Sequence, residues 1–176
     1  MELLSLFKRL LAIALLLLIG CASTVTPRAE VDSRAVLEER FIQRTIALEQ
    51  TLADESRIQD VSFPILQGAT ELCGSNVINS IGMAVATGFE FEEDFQRSAR
   101  ELSIGASVTV IGVVSDGPAA TAGVRNKDII TSVNSNPLIT GSNAGTVFRN
   151  LLEEELGNSS SVILGVQRGE EALEFT

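Results

Sequence analysis

The stretch VIGVVSDGPAATAGVRNKDIITSVNSNPL, Val110 to Leu138, constrains the fold more than any other part of the chain. It starts inside the run Val108, Thr109, Val110, Ile111, whose β-branched side chains favour extended backbone. DGPAATAGV then turns the chain into a short helix, with Pro118 at an early position and Gly123 as its stop. A second strand follows at DIITSVN, Asp128 to Asn134, and the NSNP turn, Asn134 to Pro137, ends it. Upstream, SIGMAVATG (Ser80 to Gly88) reads as a strand entered through a glycine. FEEDFQRSAREL (Phe91 to Leu102) reads as a helix with acids in its first turn, where the helix dipole favours them. Downstream, NAGTVFRNLLEEEL (Asn143 to Leu156) is an amphipathic helix closed by Gly157, and SSVILGVQR with ALEFT forms a hairpin across Gly169-Glu170-Glu171. Together these predict an α+β fold: a small, partly closed antiparallel β-barrel with flanking helices.

Histidine is absent from the chain, so no Ser-His-Asp triad, Cys-His pair or His-ligated zinc site can be built from it alone. Lysine occurs only at Lys8 and Lys127, and Lys127 falls in a turn, which argues against a Ser-Lys dyad. The expectation is a non-catalytic protein with no cofactor and no metal. A formal charge of −10 repels phosphate backbones and argues against a nucleic-acid partner. Glu90, Glu92, Glu93 and Asp94 lack the spaced oxygen-donor loop and glycine of a calcium site and read as a solvated helix start.

At the start of the chain, Lys8 and Arg9 precede an apolar run from Leu10 to Ile19 that closes on Gly20-Cys21. The run is too short for a span, which takes about 20 residues, and the pattern is that of an export signal. LIGC, Leu18 to Cys21, resembles the lipobox of bacterial lipoproteins. The resemblance implies cleavage before Cys21, which then carries diacylglycerol and usually a further acyl chain such as palmitate. It also implies a lipid-anchored protein of the bacterial cell envelope, on the periplasmic side. Ala22 in place of an aspartate leans toward the outer membrane over the inner. Residues 21–30, with Pro27, read as a flexible tether.

Residues 31–75 read as a helical stalk or pre-domain region. Val31, Ala35, Ile42, Ile46 and Leu52 fall near one helical face. The helix would serve as a spacer, as a coiled segment for a partner, or as packing for the following domain. In DVSFPILQGATELCG a helix with Pro64 in its first turn and Gly74 as its stop is preferred, although Val61, Phe63 and Ile65 also alternate as in a strand. Cys73 is expected to pack as a small hydrophobe.

Gly117-Pro118-Ala119-Ala120, Ala122-Gly123-Val124, Asp128-Ile129-Ile130 and Val133-Asn134 resemble the pattern of PDZ domains of bacterial envelope proteases. Lys127 and Ser135 stand where that pattern usually has glycine. The likeness assigns residues 76–176 to a PDZ domain, after a signal at 1–20. It implies binding of an extended peptide, often a free C-terminus, as an added strand, with a terminal carboxylate cradled by backbone N–H groups. SIGM, Ser80 to Met83, resembles the carboxylate loop, with Ser80 replacing its first glycine. By the same resemblance Ile81, Gly82, Met83 and Val85 form the peptide-pairing edge, and Val147, Phe148, Leu151 and Leu152 the facing helix. An apolar helical stripe of that kind also serves as core. The implied partner is a peptide or protein, such as an envelope protease or unfolded polypeptide. The order of helix, ATELCG and IGMAV also resembles the region before zinc metallopeptidase domains, which would make the chain the regulatory part of a protease. A third reading is a structural lipoprotein whose own chain fills the groove.

Overall fold

The computed structural model describes residues 32–74 and 77–176. The expected signal, Cys21, the tether and Val31 lie outside the described residues. Residues 34–176 form one compact unit.

Helix α1 runs Ser33–Gly68 and carries Pro64 inside it, so the segment after Asp60 continues this helix and Pro64 is not in the first turn of a new one. A separate helical turn, α2, Thr70–Cys73, ends at Gly74. Cys73 is exposed, contrary to the expected burial. No described helix is long and apolar enough to cross a membrane.

Of the aliphatic residues expected on one inward face of α1, Leu52 packs inward, whereas Ala35, Ile42 and Ile46 point to solvent. The inward line is Leu48, which is buried, with Phe41, Thr45, Leu52, Ser56, Gln59 and Phe63 half-buried beside it. The surface opposite selects that line. The Thr45 hydroxyl donates to Ser98 Oγ at 3.0 Å, and Gln59 and Ser56 lie against Gly112, where a Cβ would meet Gln59 Oε1 at 3.2 Å. Leu48 closes a small core with Ala86, Ala99 and Ile104. Of the three roles left open for this helix, the contacts match packing on the following domain.

That domain contains β1 (Met83–Ala86), α3 (Glu93–Glu101), β2 (Thr109–Val113), α4 (Pro118–Ala122), β3 (Ile129–Val133), β4 (Asn136–Pro137), α5 (Ala144–Asn158), β5 (Leu164–Arg168) and β6 (Glu171–Phe175). The strands pair antiparallel in the order β1-β2-β3-β5-β6, with β4 beside β3. Gly157 lies within the last turn of α5, and Ser159 caps that helix. The main core gathers Val108, Val110, Ile130, Val133, Phe148, Leu164 and Val166 from the sheet and α5.

The motif stretch is held by one buried acid. Asp128, 1% exposed, accepts the Arg125 N–H at 2.8 Å and both Nε and a terminal amine of Arg168 at 2.7 Å. Arg168 also donates to the Gly123 carbonyl at 2.8 Å. The α4 turn is thereby stapled to β5.

Asn134 and Ser135 both take positive φ, 46° and 68°, as the reversal from β3 into β4 requires. Lys127, at 72°, is likewise left-handed. Left-handed backbone costs a residue with a Cβ about 1 kcal/mol. Ser135→Gly is therefore expected to stabilise the protein by about 0.5 kcal/mol after its greater unfolded-state freedom is counted. The check is a higher urea midpoint with an unchanged slope.

Candidate functional site

The candidate site is built on β1 and the turn that feeds it. Gly82 sits at φ +69°, a region that side chains strain to enter. A Cβ there would lie 3.3 Å from Val114 Cβ and 3.4 Å from the Phe63 ring. Both carbonyls of the turn are fixed: the Val114 N–H donates to Gly82 at 2.9 Å and the Ala119 N–H to Ile81 at 2.9 Å. The Gly82 N–H donates to Ser80 Oγ at 3.2 Å. Helix α1 braces the turn from outside through Phe63, and Asp60 accepts the Ser115 N–H at 2.8 Å.

The register of β1 decides which groups face out. Met83 pairs with Val113 and Ala84 with Gly112. With the Val114 N–H on the Gly82 carbonyl, the backbone groups of Gly82 and Ala84 point at β2. Those of Met83 and Val85 point away. β1 ends the strand order, and among the described residues no strand pairs with its second edge. The side chains alternate as well. Ile81, Met83 and Val85 pack on the main core, whereas Ala84 faces Gly112 on the α1 side and Ala86 joins the small core.

The four helix residues separate by exposure. Phe148 is 2% exposed and belongs to the core. Leu151 and Leu152 are half-buried against the same cluster as Met83 and Val85, and Val147 is 38% exposed, outside it. The Asn79 side-chain amide donates to the Leu156 carbonyl at 2.8 Å, tying the entry to β1 to the last turn of α5. Next to that tie lies a cavity of about 230 Å³ lined by Ile81, Leu156, Val162, Leu164 and Phe175 among others. Sequence reasoning did not place Leu156 or Val162 near the site, although Leu156 continues the spacing of Phe148 and Leu152. A second cavity of about 350 Å³ lies between α1 and β2, with Leu52, Ile104, Ile111 and Lys127 in its walls, away from the β1 edge.

Two of the acidic residues after β1 have structural partners. Glu90 accepts the Thr87 N–H at 2.9 Å and the Arg149 guanidinium, and Asp94 accepts Arg44. Among the described residues no cluster is suited to hold a metal ion. Among the described residues, the arrangement offers a β-edge that no strand pairs with, beside apolar side chains and suited to holding another extended chain.

The family model described as PDZ domain matches residues 81–176. Among solved structures, the crystal structure of the HtrA3 PDZ domain bound to a phage-derived ligand (FGRWV) is 25% identical, covering 55% of this chain and 80% of that one, with a TM-score of 0.39. No curated protein matches the chain. With more than half of its residues matched by the family model, and the α+β antiparallel architecture in place, this chain belongs to the PDZ domain family.

Proposed function

We propose that this protein is a membrane-anchored, non-catalytic PDZ lipoprotein of the bacterial cell envelope that binds extended polypeptide by adding it as a strand to β1. The carrying observation is the second edge of β1, which no strand pairs with among the described residues and toward which Met83 and Val85 direct their backbone groups. Main-chain pairing there supplies affinity, and the apolar surface of Met83, Val85, Leu151 and Leu152 supplies selectivity. The anchor rests on the sequence LIGC after a short apolar run, with lipid on Cys21. Two or three acyl chains hold a soluble domain stably at a bilayer, where one does so marginally. The periplasmic side, and the outer membrane over the inner, complete the reading.

The binding test uses the full chain in mild detergent and a heptapeptide selected from a random display library. Methylating alternate backbone nitrogens of that peptide is expected to weaken binding at least about tenfold, because each lost edge bond is worth about 1 kcal/mol. Gly82→Trp, which cannot fit beside Val114 and Phe63, is expected to abolish it. Unaltered binding of the methylated peptide contradicts strand addition. For the anchor, Cys21→Ser is expected to move the protein from the membrane pellet to the soluble fraction and to end incorporation of labelled palmitate. Retention of label in that variant contradicts lipidation at Cys21.

A further inference from the structure

We infer, taking the open β1 edge as the binding site, that Ser80 sets the ligand class: internal extended segments in preference to free carboxyl termini. A terminal carboxylate needs converging backbone N–H donors in the turn before the strand. Here the Gly82 N–H is already given to Ser80 Oγ at 3.2 Å. The turn has little freedom to offer a substitute. Its Ile81 and Gly82 carbonyls are held by Ala119 and Val114, and Gly82 is buried. A carboxylate that is to take the Gly82 N–H must therefore displace the hydroxyl.

Charge around the turn acts in the same direction. The backbone of Gly117 lies against that of Gly82, with a Cβ on either glycine 3.5 Å from the other's Cα. Asp116 directly precedes Gly117, and Asp60 is hydrogen-bonded to Ser115. Among the described residues neither acid is ion-paired. Two negative charges at the segment next to the turn disfavour an arriving carboxyl terminus. An internal segment brings no such charge. Its own N–H and C=O groups meet Met83 and Val85, which the Ser80 bond leaves untouched.

The experiment compares two display libraries against the full chain in detergent: random heptapeptides with free carboxyl termini, and the same heptapeptides followed by a fixed Gly-Ser-Gly tail. The best heptapeptide is then synthesised as free acid and as amide for polarisation titrations with wild type, Ser80→Ala and Ser80→Gly. Wild type is expected to enrich the tailed library and to bind acid and amide within about threefold. Both variants are expected to shift the ratio toward the acid by about fivefold, the scale of one hydrogen bond. A wild-type preference of about tenfold for the acid, or a ratio unmoved in both variants, overturns the role of Ser80 while leaving the β1 edge as the site. Enrichment from neither library overturns strand addition itself, and this inference with it.

Discussion

Phe148→Ala is expected to destabilise the protein by about 4 kcal/mol, the usual cost of emptying a buried aromatic site. The phenyl ring is 2% exposed in the main core, among the sheet residues that α5 covers. Loss of its dispersion contacts, together with the cavity left behind, sets the size of the effect. For a domain of about 100 residues this lowers Tm by about 16–30 °C. Val147→Ala, one residue away and 38% exposed, is expected to cost about 0.5 kcal/mol or less. Thermal unfolding of the two variants side by side checks the contrast. Equal destabilisation would mean that α5 is rotated from the position described.

The second large effect is expected at Asp128. Asp128→Asn keeps the shape of the side chain but removes the charge that the Arg125 N–H and the Arg168 guanidinium both address. A buried group bonded in this way is expected to lose about 2–3 kcal/mol. Burial pushes the Asp128 carboxyl up, but the Arg168 and Arg125 hydrogen bonds and charges outweigh it and hold the pKa below the ordinary value of 3.8. The sign of the pH dependence follows. With the folded value below the unfolded one, the contribution is complete above the ordinary carboxylate range and is lost as pH falls through the depressed folded value. The gap between wild type and Asp128→Asn, read from urea midpoints, is therefore expected to be constant from neutral pH to about 5 and to narrow below about 4. A gap that widens on acidification contradicts the assignment.

Local chemistry made much of the domain legible in the sequence. Pro118 and Gly123 bound α4, the β-branched residues from Thr109 mark β2, and Asn134-Ser135 mark the reversal after β3. Each of these signals acts within a few residues of itself. The misreadings arose where a distant surface decides. Helix α1 turns Thr45 and Ser56 inward because Ser98 and Gly112 await them, while Ile42 and Ile46 stay outside. A hydrophobic pattern taken alone places Leu52 correctly but turns Ile42 and Ile46 the wrong way. The Asp128 partner lies 40 residues along the chain, and no local pattern joins it to Arg168. At the site, the resemblance led to the Ile81–Val85 edge, but the alternation that puts Phe148 in the core and Leu151 at its margin emerged only when α5 was set against the sheet.

The central claim is that the second edge of β1 is open, and residue-resolved amide hydrogen exchange in the ligand-free full chain tests it most directly. The account predicts fast exchange at Met83 and Val85 beside slow exchange at Ala84, which pairs with Gly112. Slow exchange at all three residues would mean that the protein's own chain already occupies the edge, and would contradict the account.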